Sequence, residues 1–270
     1  MSSPELRGCC DLIGQRGSVH GVIARVDHVL GALDTQLRAT AGERVGPVVR
    51  RVADQPGGWS GIEFSDLDET NADAVIAEQV RYFGGLGLTF EWKYYGHDLP
   101  ADLPDRLRAA GFVAGPEEAL LVAATADVPA AVLPAGLRLV DVHDPADLDR
   151  VAAVHEAAFG TDHGWMAEAL AGPVAAGTTI PVLVLHGDEP VSAARLDLHP
   201  GTDFASLWGG GTVPEWRGRG IYRATVAHRA AIARSYGHRW LRTDALPTSR
   251  PILERIGFTR LDTTVPYTHA

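Results

Sequence analysis

One stretch constrains the fold of this chain more than any other: Val213-Pro214-Glu215-Trp216-Arg217-Gly218-Arg219-Gly220-Ile221-Tyr222-Arg223, set between a β-forming run and a helical pattern. The first turn of a helix has unpaired N–H groups and a positive dipole end, both of which suit a diphosphate. Gly218 and Gly220 lack the Cβ atoms that would hold oxygens away, while Arg217, Arg219 and Arg223 carry charge that neutralises them. Taken alone, Arg-Gly-Arg-Gly is also what an ordinary solvated turn looks like; the strand-to-helix setting favours the anion site. Nucleotide loops fit less well. A P-loop requires Gly-Lys-Ser or Gly-Lys-Thr, which is absent, and a dinucleotide fold opens on a purely parallel sheet.

Composition sharpens the point. Net charge is −10, so the surface as a whole repels nucleic acid and anionic lipid, and an anionic ligand needs a locally positive site. An apolar share of 46% with 21% charged residues belongs to a folded chain, and 270 residues suffice for two compact units. The two cysteines, Cys9 and Cys10, are adjacent and can neither staple a fold nor complete a four-ligand zinc site. No metal is expected, and a reducing cytoplasm is the default compartment. The opening Met1-Ser2-Ser3-Pro4-Glu5 lacks the basic start and apolar core of an export signal. The most apolar stretch, residues 119–140, is broken by Asp127, Pro129 and Pro134, which excludes a membrane-spanning helix there.

Two prolines, a glycine and small residues between Asp127 and Gly136 read as an extended connector. Residues 129–135 therefore divide a first domain, 1–128, from a second, 136–270. In the second, strands are expected over 137–142, 181–186, 191–198, 204–208, 240–246 and from 258 onward, the second and third joined by the turn chemistry of Gly187-Asp188-Glu189-Pro190. Helices are expected over 145–159, 166–170, 221–236 and 249–256, with Leu148, Val151, Ala152, His155 and Phe159 on one face and Gly237 as an αL stop. The first domain reads as strands over 48–53, 60–64 and 89–95 with helices over 19–37, 71–83 and 102–110. The expected class is α/β (α+β): a mixed central sheet flanked by helices, in two domains.

The 213–223 stretch resembles the pyrophosphate loop of the GNAT superfamily of N-acetyltransferases. That family's pattern of Gln or Arg, two residues, Gly, one residue, then Gly or Ala falls here on Arg217, Gly220 and Tyr222. Tyr222 departs from it and must point away from the phosphates or reshape the cradle. The resemblance implies the GNAT acyl-CoA N-acyltransferase fold, acetyl-CoA as co-substrate, and acetyl transfer to an amine by direct attack in a ternary complex. It implies a splayed strand whose exposed backbone at Gly210, Gly211, Thr212 and Val213 pairs with the pantetheine arm and polarises the thioester carbonyl. The cradle itself then comprises Arg217, Gly218, Arg219, Gly220, Ile221, Tyr222 and Arg223. Gly209-Gly210-Gly211 also reads, on its own, as a bulge or a close backbone approach.

A second family feature is a helix of pattern Asn, two residues, Ala, three residues, Tyr, then Gly-Phe. Counting back from Gly257-Phe258 puts Leu246, Ser249 and Leu253 in those slots, which leaves Ser249 beside the cofactor. The family tyrosine protonates the departing thiolate, and leucine cannot. Either another acid serves or the thiolate leaves unassisted, which a thiol pKa of about 8.5 allows. Tyr267 and His269 on the last strand are candidates for the thioester end, Asp197 or His199 for the base, and His163 and Trp165 for acceptor contact. Against each stands a plainer role, as a core aromatic or a solvated charge.

Leu107-Arg108-Ala109-Ala110-Gly111-Phe112 echoes Leu253-Glu254-Arg255-Ile256-Gly257-Phe258, which raises the possibility of tandem related domains. In that case the first domain is degenerate. Its loop Asp66-Leu67-Asp68-Glu69-Thr70-Asn71 carries three carboxylates where the second has arginines, which stabilise a helix start but repel a diphosphate. Its expected role is structural, closing one side of the acceptor cleft or forming a homodimer; Glu91-Trp92-Lys93-Tyr94-Tyr95 reads either as an aromatic wall there or, in preference, as a buried strand face. The acceptor class stays open between small-molecule and peptide amines, with no nucleic-acid or membrane partner, and a non-catalytic acyl-CoA sensor or interaction module is the rival.

Overall fold

The computed structural model describes residues 19–54 and 58–270. Cys9, Cys10 and the chain opening lie outside the described residues. After α1 (Val19–Ala32) come β1 (Glu43–Val45), β2 (Val48–Arg51), β3 (Gly61–Ser65), α2 (Ala72–Gly85), β4 (Phe90–Tyr95), α3 (Leu103–Ala109), β5 (Val113–Ala114) and β6 (Glu118–Ala124). The second half contains β7 (Leu137–Asp141), α4 (Leu148–Phe159), α5 (Trp165–Ala175), β8 (Thr179–His186), β9 (Glu189–Leu198), β10 (Phe204–Thr212), α6 (Ile221–Ser235), β11 (Trp240–Ala245), α7 (Arg250–Arg255) and β12 (Thr259–His269). None of the described helices is long and apolar enough to cross a membrane.

The echo noted in the sequence corresponds to a structural repeat. In each half a strand, a long helix and a parallel strand follow one another: β3–α2–β4 and β10–α6–β11. Each then enters a short helix that ends in the same way. The amide of Phe112 donates to Leu107 O and that of Phe258 to Leu253 O, both at 3.1 Å. Gly111 and Gly257 take φ of 95° and 100°, a region that favours glycine, and the two leucines are buried.

The halves do not form separate sheets. Eleven strands run in the order β1-β2-β3-β4-β12-β6-β11-β10-β9-β8-β7, with β5 paired to β12. β6, which precedes the 129–135 connector, lies between β11 and β12, two strands that follow it. Conversely, Thr264–His269 of β12 pair with β4, carrying Tyr267 and Thr268 to β5 as well. Each half thus borrows a strand from the other, and the backbone hydrogen bonds at the junction are shared.

Residues paired across antiparallel strands share a face, which sorts the helices into two layers. One face carries α6 and α7 over Leu196, Ala205 and Leu241, and α2 and α3 over Ile62 and Trp92. On the other, α4 and α5 cover Leu183, Leu185 and Ala193, while α1 covers Leu120, Val122 and Phe204. Between these two groups of helices the second face is left open as a cleft.

Candidate functional site

The site begins where two strands part. β10 pairs with β11 only from Phe204 to Ser206, opposite Trp240 to Arg242; a last tie runs from the Thr243 hydroxyl to Leu207 O at 2.9 Å. Beyond it β10 keeps its partner β9 but passes through a bulge between Trp208 and Gly211, where Gly209 has φ of 58°. Arg229, buried on α6, donates to the carbonyls of Thr225, Arg195 and Trp208 and so satisfies acceptors around the bulge. Burial lowers its pKa to about 10, an effect that Tyr222 and Asp197 only partly offset.

The loop after β10 is open. Pro214–Trp216 form a turn, Gly218 and Gly220 have φ of 74° and 85°, and α6 starts at Ile221. Among the described residues no atom lies within 4 Å of the place a Cβ of Gly218 would take, and only the Arg223 guanidinium, at 3.9 Å, approaches that of Gly220. Helical bonding begins with Ala224 N–H to Gly220 O, leaving the amides of Ile221, Tyr222 and Arg223 without partners among the described residues. The three arginines differ in posture. Arg217 braces the loop, donating to Thr212 O at 2.9 Å and Ala158 O at 2.7 Å. Arg219 donates to Glu215 O and lies 4.5 Å over the Trp216 ring, while Arg223 flanks Gly220. Tyr222 turns away from this space: its ring packs on Gly210 of β10, where a Cβ would come within 2.7 Å of it.

Across the sheet, a cleft of about 930 Å³ lies between the halves. Trp165, Thr179, Arg195 and Asp197 line it from one side, Trp59 and Glu91 from the other. Burial raises the Glu91 pKa, an effect that Lys93 partly offsets. Beside the cleft runs a buried charge network. Lys93 Nζ is 2.5 Å from Asp244 Oδ2, Arg242 reaches the same oxygen at 3.2 Å, and Arg242 Nε donates to Ser206 Oγ at 3.0 Å. It joins the two halves directly, β4 to β11.

Asp197 accepts from the Thr179 hydroxyl at 2.9 Å and from Arg195, and it faces the cleft together with Trp165. His163 stacks beside Trp165 at 6.4 Å between ring centroids and lies 5.5 Å from the ring of His155. His199 instead bonds Ser206 Oγ at 2.8 Å, and burial, with Arg242 adding to it, lowers its pKa to about 4. Ser249 stands at the start of α7, its hydroxyl donating to Leu246 O. Leu253 is buried in the core beneath α6.

Tyr267 and His269 require correction. Both lie on the part of β12 lent to the first half: Tyr267 is buried with Trp92, Leu107 and Phe112, and His269 packs on Phe90 and Phe112. Both side chains are thus taken up by packing within the first half, and β6 and β11 stand between their strand and β10. The exchange of strands, invisible to a linear reading, displaced them. Sequence reasoning also missed Arg229, Arg242, Asp244 and Trp59. Arg242 and Asp244 left a trace, as charges at alternate positions of an otherwise apolar strand.

Solved structures that share this fold include GCN5-related N-acetyltransferases. A GCN5-related N-acetyltransferase from Kribbella flavida superposes with a TM-score of 0.67 at 17% identity, over 91% of this chain and 94% of that one. The tandem GNAT protein of the clavulanic acid biosynthesis pathway gives 0.61 at 13%, over 84% and 80%. A GCN5-related N-acetyltransferase from Sphaerobacter thermophilus gives 0.56 at 13%, over 83% and 76%. No protein-family model and no curated protein matches the chain in sequence.

Proposed function

We propose that this chain, whose fold is that of the GCN5-related N-acetyltransferases in tandem form, transfers an acetyl group from acetyl-CoA to an amine. The observation that carries the reading is the open cradle at Gly218 and Gly220, with three amides at the α6 start that have no partner among the described residues and the gap between β10 and β11 beside it. In this reading the loop amides with Arg219 and Arg223 hold the diphosphate, Arg217 fixes the loop, and the edge of β10 from Gly210 to Val213 takes the pantetheine arm, with Ser249 at its far side. The acceptor enters the cleft on the other face, against Trp165, His163 and Asp197. The first half supplies the opposite wall through Trp59 and Glu91, and its own loop is unsuited to phosphate because Asp68 Oδ1 already accepts from the amides of Thr70 and Asn71. We assign transfer to residues 136–270 with β6 as their borrowed strand, and place the reaction in the cytoplasm on a small-molecule or peptide amine.

Isothermal titration tests the binding step: acetyl-CoA is expected to bind, and Arg223→Glu to weaken it at least tenfold. Unchanged affinity in that variant removes the cradle from the reading. A non-catalytic acyl-CoA binder is the second reading, favoured by the burial of Leu253 in the slot where the family carries its acid. Thiol release over a panel of primary amines separates the two, since a pure binder releases none.

A further inference from the structure

The cleft between the halves is short of positive charge. Four carboxylates line it, Asp54, Glu91, Glu168 and Asp197, against two guanidinium groups, Arg51 and Arg195. Both guanidinium groups are already engaged: Arg195 pairs with Asp197 at 3.3 Å, and Arg51 donates twice to Ala41 O. Asp54 and Glu168 are exposed, so water screens their charge. Glu91 is left as the carboxylate that is neither paired nor fully solvated.

Burial, with Glu63 and Asp244 adding to it, raises the Glu91 pKa, and Lys93 and the Trp59 indole offset only part of this. Lys93, the cation that favours the ionised form, is itself held by Asp244 at 2.5 Å. A carboxylate kept partly out of water without a cation of its own is costly, and a positive group entering the cleft relieves that cost. Two indoles shape the same space. The Trp59 ring rests on β3 at Gly61, where a Cβ would come within 2.8 Å of it, and Gly61 is in register with Glu91. Trp165, 44% exposed, lines the cleft from α5. Indole faces attract cations as well as apolar stems, and the Arg51 guanidinium already stands 6.0 Å from the Trp59 ring.

Resting on the acetyl-transfer reading above, we infer that the acceptor is an amine carrying a second group that stays positively charged at neutral pH, and that Glu91, with Trp59 and Trp165, holds that group. The attacking nitrogen must give up its proton to expose a lone pair, so it is not the charge that Glu91 matches. The matching charge sits on a second nitrogen, joined to the first by an apolar stem that the tryptophans cover. The acceptor class narrows to diamines and longer polyamines. Monoamines leave Glu91 unmatched, and amino acids bring a carboxylate that it repels.

Three acceptors of similar length form the test: butylamine, 1,4-diaminobutane and 4-aminobutanoate, whose far ends are neutral, positive and negative. Thiol release by the full chain with acetyl-CoA is expected to favour 1,4-diaminobutane over butylamine by about tenfold or more in kcat/KM, with 4-aminobutanoate the poorest. Glu91→Gln keeps the shape and removes the charge; it is expected to cut that preference about tenfold, with acetyl-CoA titration reporting that the variant is folded. Should it not fold, the order of the three acceptors in the parent decides. Parent values within about threefold of one another, the scale of a screened surface contact, overturn the inference and leave acetyl transfer intact. A preference for 4-aminobutanoate, or a folded variant that keeps the full preference, does the same. Calorimetry needs no turnover: 1,4-diaminobutane should bind the parent about tenfold or more tighter than 4-aminobutanoate. A parent that binds acetyl-CoA but releases no thiol with any amine overturns acetyl transfer itself, and the cation site is then judged by calorimetry, where equal binding of the two overturns it.

Discussion

Replacing Lys93 by Met tests how firmly the two halves depend on one another. Lys93 Nζ stands 2.5 Å from Asp244 Oδ2; the Asp244 side chain is wholly buried and that of Lys93 is 12% exposed. Breaking a buried pair by removing one partner costs about 3–5 kcal/mol, because the remaining charge stays out of water. Arg242, 3.2 Å from the same oxygen, still partners Asp244, so the loss belongs at the low end, about 3 kcal/mol. For a chain of this size that corresponds to a fall of about 6 °C in Tm. The pH of the assay matters. Burial alone would lower the Lys93 pKa, but Asp244 more than reverses this and holds it above the usual lysine value, so its contribution persists until pH rises through that raised pKa. Burial likewise opposes ionisation of Asp244, and Lys93 and Arg242 overcome it, so its contribution is lost only as pH falls below the usual carboxylate range. At pH 7 both are intact. Urea denaturation at that pH should show one shifted transition, and Lys93→Met with Asp244→Leu should fall short of the summed losses by about 1 kcal/mol or more. A loss under about 1 kcal/mol for Lys93→Met, or separate transitions for the two halves, would refute the reasoning.

Further outcomes follow from other contacts. His97 bridges Asp262 at 2.5 Å and Asp34 at 3.0 Å; burial opposes its charge, but these carboxylates raise its pKa to about 9. Its stabilisation is therefore complete below a pH of about 6.5 and lost as pH rises through 9, and His97→Asn should flatten the decline in urea midpoint between pH 7 and 9.5. Gly220→Val should raise the acetyl-CoA Kd at least tenfold by titration, whereas Gly237→Val, with a similar φ of 87° at the other end of α6, should lower Tm without that loss. Trp165→Ala should raise KM for the acceptor amine in steady-state assays while the acetyl-CoA Kd stays unchanged.

The legible parts of the fold were those with local chemistry. Gly237, Gly257 and the Gly187-Asp188 turn end or reverse elements where the sequence places them, and the loop glycines hold the positive φ that their position required. Local propensity gave no warning of β6. Its run Ala119-Leu120-Leu121-Val122-Ala123 is buried on both faces and so lacks the alternation that marks a strand. Without β6 the partners of β12 could not be found, and Tyr267 was assigned to the wrong half. The candidate site divides in the same way: the cradle is one contiguous stretch, while the cleft brings together residues such as Glu91 and Asp197, 106 positions apart and placed by tertiary packing.

The exchanged strands also bear on how the molecule is made. Domains ordinarily fold in the order in which the ribosome delivers them. Here β4 must wait, with one edge unpaired, until the whole second half has been synthesised and residues 264–269 emerge. The half translated first is completed last, and until then its open edge is the nascent chain's point of exposure to aggregation.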